Sequence, residues 1–217
     1  MVGATGIEPV TPAVSRQCST AELRTLNKYK INILKYLKIY KNCFVLKNVF
    51  KIRSIKREDI DQVLKIYNFY INNGFGNFEE EALSLKHFLI LYEDILKMNL
   101  PFLVAEQNQK IIGFTYLNWF RKKSGYRFAF ENSIYVDNNF SGKGIGSELL
   151  QTLLTESEKN SKIKTIIAVI SSYNSNASIQ IHKKNGFSMI GTLKKVGIKK
   201  EKWLDAIYMQ KILNEKN

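Results

Sequence analysis

Histidine and cysteine are nearly missing from this chain, with two of each in 217 residues. Cys18 and Cys43 have neither Cys-x-x-Cys spacing nor the spacing of metal ligands, so no thiol-redox or zinc centre is expected, and no metal. No run of 18 apolar residues occurs, which excludes a helix spanning a membrane. The N-terminus lacks the basic-then-apolar order of a signal peptide. A cytoplasmic protein without a membrane partner is the expectation. Acidic residues are also in deficit, 19 against 33 Lys and Arg, for a net charge of +14. That balance favours acidic partners, among them nucleic acid or a phosphorylated cofactor. AT-rich coding, which inflates Lys, Asn and Ile, would give the same excess. No basic stripe is interleaved with aromatic residues, as single-strand binding requires, so nucleic acid is not expected as a partner.

Only three prolines occur, and two of them, Pro9 and Pro12, fall in a first stretch without helical or strand period. Gly6-Ile7-Glu8-Pro9 and Ala21-Glu22-Leu23 back-translate into segments that resemble the T-arm and D-arm of a tRNA gene read on the opposite strand. Residues 28–50 are Lys-, Ile-, Asn- and Tyr-rich, either a basic amphipathic helix or translated AT-rich spacer. Residues 1–50 are therefore expected to be an extension, disordered or translated from a start assigned too early. One domain is expected over 51–213, with a tail at 214–217.

From Lys51 the pattern is regular. "FKIRSI" (50–55) alternates as a strand. Ile60, Val63, Leu64, Tyr67 and Ile71 recur at helical spacing, and Gly74 ends that helix. A second helix is expected before Leu100. Residues 101–120 read as strand, polar turn at Gln107–Lys110, strand. "GYRFAFENSIYVD" (125–137) alternates through Phe128, Phe130, Asn132, Ile134 and Val136. A helix is expected over 147–160, then "KTIIAVIS" (164–171) as a strand buried on both faces. A short helix ended by Gly186 and two closing strands complete the order β-α-α-β-β-β-α-β-α-β-β. That is an α/β domain with a mixed sheet.

The stretch "FSGKGIGSELL" (140–150) carries three glycines at alternate positions. Lys143 is followed by Gly144 rather than Ser or Thr, so it is not a Walker A loop. The third glycine comes one residue early for a Rossmann fingerprint, and the loop does not follow the first strand. A bare loop that opens a helix still binds anions through its amides and the helix dipole, and Lys143 adds a positive charge. Gly144 and Gly146 resemble the acetyl-CoA loop of the GNAT N-acetyltransferases.

Seven blocks in order, over about 52–212, extend that resemblance to the phosphinothricin acetyltransferase branch: "NFEEE" (77–81), "FLVAE" (102–106), "ENSIYV" (131–136), "GKGIGSELL" (142–150), "ASIQIHKKNGF" (177–187), "GTLKKVGIK" (191–199) and "WLDAIYMQ" (203–210). The resemblance implies the GNAT fold, a mixed and mostly antiparallel sheet flanked by helices. It implies transfer of an acetyl group from acetyl-CoA to the primary amine of a small amino-acid-like substrate, of the phosphinothricin or methionine sulfoximine type, by a homodimer. Alternatives are a GNAT enzyme acting on a protein N-terminus or another amine, a non-catalytic acetyl-CoA-binding module, and a decayed, inactive product.

By the same resemblance Glu131 is the general base, and His182 shares the proton work, since imidazole titrates near neutral pH. Ile134, Tyr135 and Val136 lie on the strand that splays open and pairs its backbone with the pantetheine arm. Ser141, Gly142, Lys143, Gly144, Ile145, Gly146 and Ser147 form the pyrophosphate loop, with Ser147 capping its helix. Asn174 and Ser175 also face the cofactor. Arg121, Lys123 and Tyr126 hold an acidic head group, with Asn77 and Phe78 on the substrate side. Lys199, Trp203 and Asp205 shape the last strands and the dimer surface. His87 is read as structural. Two positions depart from the family pattern. Ser141 stands where Arg or Gln is usual, and Ser175 stands where Asn is usual, with one extra residue in its loop.

Overall fold

The computed structural model describes residues 50–213 except residue 174. The extension expected at 1–50, apart from residue 50, the cofactor contact expected at Asn174 and the tail at 214–217 lie outside the described residues. The elements run β1 (Lys51–Ser54), α1 (Ile60–Asn73), α2 (Leu85–Lys97), β2 (Phe102–Gln107), β3 (Lys110–Trp119), β4 (Ala129–Val136), α3 (Ile145–Glu158), β5 (Thr165–Ser171), α4 (Asn176–Lys184), β6 (Ser188–Lys199) and β7 (Lys202–Ile212). This is the order expected from periodicity.

Local chemistry explains several boundaries. Asp59, just ahead of α1, is buried and accepts two bonds from the Arg53 guanidinium at 2.6 and 2.8 Å, which ties β1 to the start of α1. The β2–β3 turn puts Asn108 and Gln109 at φ 50° and 62°, the backbone of a tight two-residue hairpin. α2 is capped by Ser84, whose side chain accepts from the His87 amide. His87 itself is exposed on α2, so it has no structural role in the core.

The seven strands are ordered β1-β2-β3-β4-β5-β7-β6. Every neighbouring pair is antiparallel except β4–β5. That parallel pair is short: Ala129, Phe130 and Glu131 lie opposite Thr165, Ile166 and Ile167, and the pairing then stops. β4 continues for five residues beyond this point. The sheet therefore opens as a V between its two central strands, with the apex at Glu131.

The two faces of the sheet differ. Tyr67 of α1 and Phe88 of α2 pack with Phe102, Phe114 and Tyr135 in an aromatic cluster. On the opposite face Ile145 and Leu149 of α3 pack with Ala105 and Ile112. A Cβ on Gly113 would lie 3.2 Å from Leu149 and 3.0 Å from the Tyr135 carbonyl, so a bare position lets α3 sit close to the sheet. β5 differs from expectation. Ile166, Ala168 and Ile170 are buried, whereas Ile167 and Val169 are only half-buried. The face expected to be core borders the V.

Candidate active site

Antiparallel pairing fixes which way the β4 backbone points. Asp137 N–H donates to Ile112 C=O, and Phe120 N–H donates to Ala129 C=O, at the two ends of an unbroken β3–β4 register. Odd-numbered β4 residues therefore bond β3, and the amides and carbonyls of 132, 134 and 136 face the open V. Of the three residues expected to offer backbone there, Tyr135 does not, because its backbone belongs to the β3 ladder. Val136 is half committed: its carbonyl accepts from the Tyr70 hydroxyl at 2.6 Å. Ile134 is left with both groups free for an extended ligand arm.

Side chains alternate the other way. Tyr135 stacks on Phe114, and Tyr67 meets it edge-on, which puts 131, 133 and 135 on the α1/α2 face. Asn132 instead bonds His182 of α4, which puts the even residues on the α3/α4 face. Glu131 and His182 therefore approach the V from opposite sides of the sheet.

Glu131 has no hydrogen-bond partner among the described residues. Burial raises its carboxyl to about 7. Near neutral pH it is thus a half-ionised acid beside an aromatic wall, the condition for a proton acceptor at working pH. His182 is 4% exposed, and burial lowers its pKa despite the Ser178 bond. Its Nδ1 lies 2.8 Å from the Ser178 carbonyl, an acceptor only, so Nδ1 carries the proton.

The glycine loop stands at the open end of the V. Gly142 and Gly144 have φ of 75° and 83°, left-handed backbone that a side chain would strain. Gly146 answers a different need. A Cβ there would meet Ile181 of α4 at 3.4 Å. α3 begins two residues earlier than expected, with Gly144 at its N-cap and no side-chain cap. Ser147 therefore does not cap the helix. It sits in the first turn, where its amide donates to Gly144 C=O at 3.0 Å. The amides of Ile145 and Gly146 precede the first helical bond and are free for an anion. Lys143 turns away: its Nζ donates to the Asn139 carbonyl at 3.3 Å and lies over Phe140.

A cleft of about 890 Å³ joins these parts, lined by Glu131, Asn132, Ile134, Ser141, Gly144 and His182 among others. Tyr135, Val136, Gly142, Ile145, Gly146, Ser147 and Ser175 also border it, as do Asn77 and Phe78. Arg121, Lys123 and Tyr126 do not. They line an adjoining depression of about 620 Å³ that shares Asn118 and Trp119 with the cleft. The predicted head-group residues therefore stand beside the cleft, because β3 ends at Trp119 and carries the chain outward.

Three participants were given no part in the site by the sequence reading. Tyr70 holds the Val136 carbonyl. Asn132 holds His182. Lys199, 1% exposed, donates from Nζ to the Asn77 carbonyl at 2.7 Å and so fixes the loop that bears Phe78.

A V-shaped opening between parallel neighbours, free strand backbone along it and bare helix amides at its mouth together suit a long cofactor ending in a pyrophosphate. Residues 52–208 match the family model for an acetyltransferase (GNAT) domain. The chain belongs to the GNAT family. It is 32% identical over 163 residues to a phosphinothricin N-acetyltransferase of Alcaligenes faecalis, covering 75% of this chain and 82% of that protein. It is 31% identical to an L-methionine sulfoximine/L-methionine sulfone acetyltransferase of Salmonella typhimurium, covering 76% and 95%. Among solved GNAT structures, a phosphinothricin acetyltransferase from Sinorhizobium meliloti in complex with AcCoA superposes with a TM-score of 0.73 at 32% identity, over 76% of this chain and 89% of that one. A structure titled ribosomal-protein-alanine N-acetyltransferase from Brucella melitensis superposes with a TM-score of 0.72 at 37% identity, over 75% and 99%. This GNAT chain is an acetyltransferase with acetyl-CoA as its donor.

Proposed function

We propose that this enzyme acetylates the primary amine of a small amino acid bearing an acidic, tetrahedral head, of the phosphinothricin or methionine sulfoximine kind. The observation that carries the reading is Glu131: a half-buried carboxyl without a side-chain partner among the described residues, raised to about 7 by desolvation, at the apex of the V. Acetyl-CoA, when bound, supplies an activated acyl group. The free backbone of Ile134 and the amides of Ile145 and Gly146 hold it. Glu131 takes a proton from the amine as the N–C bond forms and the C–S bond breaks. Arg121 and Lys123 offer cations beside the cleft, with the Tyr126 hydroxyl in the same depression. They suit an anionic head group.

The Brucella melitensis structure's title supports a second reading, a peptide N-terminus as acceptor. Thiol release from acetyl-CoA with phosphinothricin, methionine sulfoximine and an alanine-first peptide separates the two. Turnover on the amino acids and none on the peptide is expected; turnover on the peptide alone contradicts the assignment.

The reading includes a cytoplasmic homodimer, with its domain at 51–213. Met189, Ile190, Leu193, Val196 and Ile198 of the sheet-edge strand β6 are exposed, as is Trp203. A second copy would cover this apolar edge.

A further inference from the structure

Asn132 is the first β4 residue past the last β4–β5 pair, and it is 6% exposed. Its Nδ2 lies 3.0 Å from His182 Nε2. Asn132 is among the residues that line the cleft, and its Oδ1 is the one buried side-chain polar atom among the described residues without a hydrogen-bond partner. A desolvated acceptor left alone is costly, and native proteins rarely tolerate one without a function.

The histidine fixes the orientation of this amide. Nδ1 carries its proton because it faces a carbonyl. A neutral ring then presents a bare Nε2, which needs a donor, so Asn132 turns its NH2 to the ring and its oxygen is left without a protein partner. The reverse orientation would place Oδ1 against Nε2 and require an imidazolium, which burial disfavours.

We propose that Asn132 Oδ1 accepts an N–H of the attacking amine, and that His182 is the positioning residue that holds the amide in place. This rests on the acetyl-transfer reading above. At the apex the thioester carbonyl and sulfur offer no N–H; the amine does. A neutral primary amine has two N–H bonds and one lone pair. One N–H is held by Asn132 and the lone pair attacks the carbonyl carbon. As the N–C bond forms and the C–S bond breaks, the other proton passes to Glu131. The thiolate leaves and is protonated from solvent. The product amide keeps one N–H, still bonded to Oδ1. His182 in this scheme moves no proton, unlike the shared role expected from the family.

The test compares wild type with Asn132→Leu, which keeps the branched shape and removes both polar atoms. Phosphinothricin and methionine sulfoximine serve as acceptors, and calorimetry measures acetyl-CoA affinity. Loss of one hydrogen bond to the acceptor predicts a fall of about 10- to 100-fold in kcat/KM for the amine, with acetyl-CoA affinity unchanged. The ¹⁵N spectrum of the wild-type histidine ring gives a readout independent of turnover and of whether the variant folds. It is expected to show a protonated Nδ1 and a bare Nε2 at pH 7. An imidazolium, or the opposite tautomer, overturns the proposal, as does a variant with undiminished kcat/KM. Wild type silent on every amine would sink the acetyl-transfer reading itself, an outcome distinct from an active wild type matched by Asn132→Leu.

Discussion

Glu131 is expensive to keep charged where it is, and that cost is measurable. Its carboxyl is raised from 4.5 to about 7 by burial alone. The folded state therefore binds more protons than the unfolded state between those values, and the penalty on stability grows as pH rises through this window. Glu131→Gln removes the penalty. Chemical denaturation is expected to find the variant matching wild type below pH 4.5 and more stable by about 1–3 kcal/mol at pH 8. Equal stability at both pH values would show that the carboxyl is not desolvated. Glu131 was legible in the sequence through the "ENSIYV" block, and Gly144 and Gly146 through their spacing. The partners of the site were not. Asn132–His182, Tyr70–Val136 and Lys199–Asn77 join residues separated by 50, 66 and 122 positions, and no local pattern encodes such contacts. Asn132 was visible only as an inward position of an alternating strand.

Two elements frame the cleft, and each makes its own prediction. α3 presents its first amides because Gly144 holds a left-handed N-cap at φ 83°. Gly144→Ala meets open space around its Cβ, so only backbone strain, about 1–2 kcal/mol, acts against it. Calorimetry should find acetyl-CoA affinity about tenfold weaker and the acceptor KM little changed. The β6–β7 hairpin acts on the other substrate. Lys199 holds the Asn77 carbonyl, and a Cβ on Gly197 would lie 2.6 Å from the Phe78 ring. Gly197→Ala must displace Phe78. Steady-state kinetics should show the efficiency toward the amine falling by up to about 100-fold, with acetyl-CoA affinity intact. Helices and strands were readable from period 3.6 and period 2. The opening of the V was not, because each strand continues its own alternation past the last β4–β5 pair and nothing local marks where the pairing stops. The early start of α3 was missed because glycine-rich sequence lacks an apolar period, and Ser147, taken as the cap from the family resemblance, lies inside the first turn.

The described domain is organised around one gap in one sheet. Its donor side carries the glycine loop, α3 and α4, and its acceptor side carries α1, the aromatic wall and the loop held by Lys199. Light scattering is expected to give twice the monomer mass, and a charge placed in the β6 edge, such as Leu193→Glu, should shift it toward monomer. The domain boundary adds a whole-chain prediction: a protein beginning at Val49 should bind acetyl-CoA as the full chain does. The central claim is that Glu131 removes the proton from the amine. Its most direct measurement is kcat/KM for the accepted amine against pH, in wild type and Glu131→Gln. Wild type is expected to show an acidic limb with a midpoint of about 7. The variant should lose that limb and fall by about 10²- to 10⁴-fold. A variant that keeps both the limb and the rate would contradict the account.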